Sequence, residues 1–136
     1  MAYPVKFSLS IATALLTATC LQAAQAQPCN AGVCKATVAV QSCDGGTMTV
    51  APDPIPVPAP NNIEWTISTP GYKFPQNGIL INGTGFTNPH VTGNGKKFTV
   101  HDDHKDMRPD IKYAVRVVRE SDGRDCAPYD PYIKNQ

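Results

Sequence analysis

The chain has 136 residues, with 12 Lys and Arg against 11 Asp and Glu, and 41% of its residues are hydrophobic. A near-neutral chain whose longest basic run is Lys96-Lys97 lacks the clustered cations that nucleic acid or an anionic membrane surface requires, so both are excluded as main partners. The length suits a single domain with a modest core, a size at which cross-links add useful stability.

The first predicted element is an export signal. Lys6 supplies a short basic start, and residues 7–21 form an apolar stretch too short to span a bilayer comfortably. Ala24-Gln25-Ala26 places small side chains where a signal peptidase reads them, so cleavage before Gln27 is expected. Loss of residues 1–26 removes Lys6 and Cys20 and leaves 110 of the 136 residues, with 11 basic and 11 acidic side chains and four cysteines. A lipid anchor on Cys20 is the alternative, but Thr17-Ala18-Thr19-Cys20 departs from an attachment box at both diagnostic positions. No later segment is apolar enough to cross a membrane, and the expected location is the periplasm or the medium.

Four cysteines behind such a signal predict two disulfides among Cys29, Cys34, Cys43 and Cys126. Residues 35–41 alternate as a strand. A straight strand at about 3.3 Å per residue holds Cys34 and Cys43 too far apart to bond. Cys29 and Cys34 flank the turn-like Asn30-Ala31-Gly32-Val33, so Cys29–Cys34 with Cys43–Cys126 is expected; Cys29–Cys43 with Cys34–Cys126 stays open.

Period-two runs follow at residues 35–41, 47–50, 63–68, 78–81, 97–101 and 111–119. They are punctuated by Asp44-Gly45-Gly46, Asn77-Gly78, Asn82-Gly83, Gly93-Asn94-Gly95 and Asp122-Gly123, residues that accept positive φ in tight turns. Ile63, Trp65 and Ile67 share one face of their run. Tyr113, Val115 and Val117 share one face of theirs, as half-buried strands require. Short strands at these spacings predict an all-β, immunoglobulin-like Greek-key sandwich of seven or eight strands over residues 27–136. The prolines at 52, 54, 56, 58 and 60 would strip donors from one strand edge only, which fits a one-sided edge strand; a stiff polyproline segment fits equally.

The succession Ile63-Glu64-Trp65-Thr66-Ile67, Gly71-Tyr72-Lys73-Phe74-Pro75, Asn77-Gly78-Ile79, 111–117 and Asp130-Pro131-Tyr132-Ile133 resembles small secreted proteins of proteobacteria. The likeness covers residues 61–136 and implies a β-sandwich with no assigned activity. Asp110-Ile111-Lys112-Tyr113 also looks like a tyrosine corner, whose hydroxyl would bond backbone upstream.

Catalytic signals fail in turn. Ser42, Ser68 and Ser121 lie in no nucleophile motif, paired cysteines offer no thiolate, and five of the acids fall between Asp102 and Glu120 with no cleft implied. A blue-copper site would need His and Met soon after Cys126, and neither occurs. The densest polar cluster is His101-Asp102-Asp103-His104-Lys105-Asp106. Imidazole and carboxylate together suit a divalent metal, whose ligands would be His101, His104 and two of Asp102, Asp103 and Asp106. The spacing fits no calcium loop, since the sixth and twelfth positions from Asp102 are Met107 and Tyr113. Lys105 and Arg108 compensate the acids locally, so a solvated loop joining two strands is the favoured expectation. Among the aromatics, Trp65, Phe98 and Tyr113 read as core, leaving Tyr72, Phe74, Tyr129 and Tyr132 as exposed candidates for stacking on a sugar. The expectation is therefore a non-catalytic module without a resident cofactor, binding a protein, wall component or glycan through its loops. Divalent-metal binding by residues 101–110 is the rival.

Overall fold

The structure, a computed structural model, describes residues 29–136. The expected signal peptide, its cleavage site and Cys20 lie outside the described residues.

Alternation builds the larger sheet. Strand β2 (Val33–Ser42) turns Cys34, Ala36, Val38 and Val40 inward, and β5 (Asn61–Ile67) does the same with Ile63, Trp65 and Ile67. One edge of β2 pairs with β1 (Cys29–Asn30) near its start and with β3 (Thr47–Ala51) near its end. The other edge pairs with β5 in parallel. Beyond β5 lie β9 (Lys97–Asp102) and then β8 (Phe86–Thr92), both antiparallel to their neighbours. The second sheet runs β4 (Ile55–Val57), β12 (Tyr132–Asn135), β10 (Ile111–Val115), β7 (Ile79–Ile81). A two-stranded ribbon of β6 (Tyr72–Lys73) and β11 (Val118–Arg119) completes the set.

Both sheets contribute to one core. Trp65 from the larger sheet donates its indole N–H to the Tyr113 hydroxyl of the smaller at 3.1 Å, with ring centroids 5.4 Å apart. Both rings are buried, and burial pushes the Tyr113 hydroxyl pKa well above its ordinary value. This is a correction to the tyrosine-corner reading, because the hydroxyl's partner is a core indole and not upstream backbone. Phe74 packs edge-on against Phe98 at 5.8 Å and is buried, which removes it from the exposed aromatics.

The fold is all-β with mixed sheets, and the twelve strands among the described residues exceed the seven or eight expected. The parallel pairing of β2 with β5 needs a crossover. Residues 43–60 provide it, pairing as β3 in the larger sheet and as β4 in the smaller before returning as β5. The proline-rich segment is thus a one-sided edge strand at β4, where Ile55 and Val57 face the core and, among the described residues, β12 alone is a strand partner. The run at 111–119 is divided into β10 and β11: the β10–β7 ladder ends with the Arg116 N–H on the Gly78 carbonyl, and Val118 and Arg119 pair instead with β6. Strand β8 escaped the sequence reading because Asn88, at φ 54, and Pro89 interrupt it with a bulge, which also guards its free edge.

The two disulfides are Cys29–Cys34 and Cys43–Cys126. Cys29 and Cys34 are register partners across a hairpin whose turn, Ala31-Gly32, holds positive φ at both residues.

Candidate functional site

The polar cluster begins on β9, and strand alternation divides it at once. Phe98, Val100 and Asp102 face inward, so His101 points outward, where its Nδ1 lies 3.0 Å from Asn62 Oδ1. Asp102 is fully buried. Its Oδ1 accepts the His104 N–H at 2.8 Å and fixes the turn in which His104 adopts φ 61. That turn carries His104 Nε2 to 3.0 Å from the Val57 carbonyl on β4. A carbonyl only accepts, so Nε2 carries the proton.

Asp103 accepts the Lys105 N–H at 3.1 Å and pairs with Lys105 Nζ at 2.9 Å, which lowers its carboxyl pKa. Its own N–H donates to Gly85, and a Cβ at Gly85 would meet Asp103 Oδ1 at 1.9 Å, so glycine is required for this approach. Asp106 is nearly as buried as Asp102 but fully partnered. It accepts from the Thr84 N–H, the Arg108 N–H and two guanidinium nitrogens of Arg108, the nearest at 2.6 Å. The Arg108 fork holds the Asp106 carboxyl well below the usual carboxylate range. From β12, Asn135 donates Nδ2 to the Asp106 carbonyl at 2.9 Å.

In this structure the side chains named for the metal-binding rival, His101, His104 and two of Asp102, Asp103 and Asp106, point to different partners. Among the described residues no three His, Cys, Asp or Glu side chains form a group able to hold a metal ion. The physical causes are local. Alternation separates residues 101 and 102, Lys105 claims Asp103, Arg108 claims Asp106, and the His104 ring turns to β4. What the loop does build is a buried polar junction of β9, β4 and β12. Sequence reasoning missed Asn135, Thr84 and Gly85 in it. Only the burial alternation of Ile133 and Asn135 marks the first, and a lone Asn gives no warning of a partner 29 residues away.

A second region lies on the outer face of the smaller sheet. Register places Lys112 opposite Tyr132 and Ala114 opposite Leu80. Tyr132 is 40% exposed and Leu80 48%, two of the three large apolar side chains left open among the described residues; Met107, on the loop after β9, is the third. Lys112 pairs with Asp130 at 3.0 Å, and that pairing raises the lysine pKa. A shallow depression of about 140 Å³ runs between Leu80, Asn82, Lys112, Ala114 and Asp130. Of the other expected surface aromatics, Tyr72 and Tyr129 are half-buried, and the Tyr129 hydroxyl donates to Asp53 at 3.3 Å.

Ser42 and Ser68 serve the backbone: Ser42 Oγ accepts the Gly45 N–H and Ser68 Oγ donates to the Val38 carbonyl. No described helix is long and apolar enough to cross a membrane. No protein-family model and no curated protein matches the chain.

Proposed function

We propose that this is an exported, non-catalytic binding module of the immunoglobulin-like sandwich kind, working in the periplasm or the medium. The two disulfides support an oxidising compartment. Two sheets sharing one core support the sandwich, with the parallel β2–β5 pairing as this chain's departure from the common topology.

The observation that carries the binding reading is the outer face of β7, β10 and β12. There Leu80 and Tyr132 stand exposed around the Lys112–Asp130 pair. Exposed apolar side chains with a polar pair between them suit the flat contact made with a protein, a wall component or a glycan. The expected surface was the loops, and this face moves the emphasis to a sheet, with Met107 as the loop's contribution. For the metal-binding rival, no three His, Cys, Asp or Glu side chains gather among the described residues, so no specific observation favours it.

The test is retention of the purified protein on wall sacculi and on immobilised periplasmic extract of the source bacterium. It is run beside Leu80→Asp and Tyr132→Ala variants whose melting temperatures are checked. Retention by the wild type that both variants lose supports the reading. Equal retention of all three, or none by the wild type, removes this face from consideration.

A further inference from the structure

The sheet edges are guarded unequally. At β4, Val57 turns its carbonyl to the Gln136 N–H beside β12, so Pro56 faces the outside and offers no donor there. At β8 the bulge at Asn88 and Pro89 bends the strand. Strand β7 has no such protection. The Asn82 N–H donates to Lys112 and the Arg116 N–H to Gly78, while the Tyr113 and Val115 N–H groups turn the other way, to Pro131 and Tyr129. Backbone groups alternate along an antiparallel strand, so Leu80 bonds β10, and Ile79 and Ile81 direct their N–H and C=O away from it. Among the described residues no strand takes these groups up. Open space lies along this edge instead, a depression of about 150 Å³ lined by Ile79, Leu80, Ile81, Phe86, Pro89 and Val100.

Donors and acceptors in the repeat of an extended strand are matched by another extended backbone, which a glycan or a lipid does not offer. Leu80 marks that backbone as a second β7. It stands exposed on the outer face, midway between the two residues whose backbone is unpaired. Antiparallel pairing about a twofold axis at Leu80 sets Ile79 opposite the partner's Ile81, and Ile81 opposite the partner's Ile79. Each of these pairs exchanges both of its hydrogen bonds, and every outward-directed group of β7 is satisfied. Leu80 then meets the partner's Leu80 as a pair without hydrogen bonds, the arrangement in which antiparallel side chains come closest. One axis thus covers an unpaired edge and an exposed leucine with the same surface on both copies, as an isologous contact requires. Strand β3 is also open, but its outer side carries only Thr47, Thr49 and Ala51, so pairing there covers no large apolar group.

We propose that two copies of this chain associate edge to edge through β7, merging their β4–β12–β10–β7 sheets into one sheet of twice the width. Tyr132, two strands from the axis, stays open on both copies, so the two outer faces join into one surface. The pairing goes beyond the binding reading and does not depend on it, since it concerns the mass of the protein in solution, whatever the face retains. Three residues of strand per copy make a small contact, so the dimer is a weak one that forms as concentration rises.

The experiment uses the full exported chain in two ways. Sedimentation velocity from micromolar to millimolar protein should show monomer giving way to dimer. Ile81→Pro removes an outward N–H from each copy without touching the β10 ladder, and should weaken the dimer about tenfold or more. Ile81→Val keeps that N–H and should leave the dimer in place. In parallel, Leu80→Cys is compared with the similarly exposed Tyr132→Cys under mild oxidation. Facing residues without hydrogen bonds stand about 4.5 Å apart between Cα atoms, within the span of a disulfide, so Leu80→Cys should cross-link copy to copy and Tyr132→Cys only at the rate of random collision. A wild type that stays monomeric throughout overturns the pairing and leaves the edge to an extended segment of another protein. Equal cross-linking of the two cysteine variants, or a dimer that Ile81→Pro leaves intact, overturns it as well. If Ile81→Pro does not fold, the cysteine variants decide alone.

Discussion

The two ends of the larger sheet are held by opposite chemistry. At the end where β2 runs out, Cys43 is bonded to Cys126, and the charges around it stay in water: Arg119 bridges Asp44 and Asp122, and Arg124 reaches Asp44. At the other end, where Asn61 faces Asp102, the Cys29–Cys34 bond ties only its own hairpin, and the closure between sheets is a polar junction sunk into the protein, with Asp102, Asp106 and Asn135 all buried. A covalent tie leaves nearby polar groups free to be exposed and weakly coupled. A polar closure must instead satisfy every group it buries, so it is sensitive to single atoms and single protons.

The largest expected effect comes from breaking the covalent end. Cys43 and Cys126 are 83 residues apart. Cross-linking a loop of that length removes about 4.5 kcal/mol of unfolded-chain entropy in the loop-closure picture. Replacing both by Ala should lower the unfolding free energy by an amount of this order, read as a fall in urea midpoint with little change in slope. A loss no greater than that of the short Cys29–Cys34 link would mean that this end is already closed by its packing.

At the polar end, Asp106→Ala should cost about 2 kcal/mol, the value of hydrogen bonds made by a charged acceptor, discounted because Arg108 is half in water. Thr84 N–H would lose its acceptor at the same time. The Asp106 carboxyl is depressed on folding, so its contribution is present above the ordinary aspartate range and declines as pH falls below it. The difference between wild type and variant should therefore shrink in acid. A penalty that grows in acid would show that Arg108 is not the dominant partner.

The two ends were unequally legible in the sequence. Cysteine spacing and the strand at 35–41 were enough to favour the observed disulfides, because a straight strand obeys a length rule that needs no tertiary knowledge. Alternation likewise placed Trp65, Phe98 and Tyr113 inside. The polar junction obeys no local rule. A run of acids and histidines reads as solvated or metal-binding until Asn135 and Thr84 arrive from distant segments. The charge that compensates Asp106 is its near neighbour Arg108, whereas Asp102 has no such neighbour. Strand β8 and the break after Val115 were missed for a related reason: a bulge and a change of ribbon are set by pairing partners, not by the residues' own period.

Next in size, Cys29→Ala with Cys34→Ala should cost about 2 kcal/mol by the same loop arithmetic, since the separation is only 5. The hairpin turn at Ala31-Gly32 holds the strands together without the bond, so the loss should be local. Amide exchange should rise in residues 29–36 and not at the Cys43 end. Exchange rising equally at both ends would make this link part of a single cooperative closure.

The smallest effect is expected at the exposed charges beside Cys43–Cys126. Arg119 lies 2.6 Å from Asp122 and 3.2 Å from Asp44, and its guanidinium beside Asp122 holds that carboxyl down at about 2. A carboxyl depressed from 3.8 to about 2 stabilises fully above 3.8 and loses that contribution as pH falls toward 2, so wild type and Arg119→Ala should converge through that window. They should also converge in salt, because both carboxylates are open to solvent and the screening length at 1 M is about 3 Å, comparable to the ion-pair distance itself. Thermal melts of the two proteins across salt and pH read both trends. A difference that survives 1 M salt would assign the Arg119 contribution to packing of its stem against the β6–β11 ribbon, and the contrast between an end held by a bond and an end held by buried polar contacts would then be less sharp than the geometry makes it.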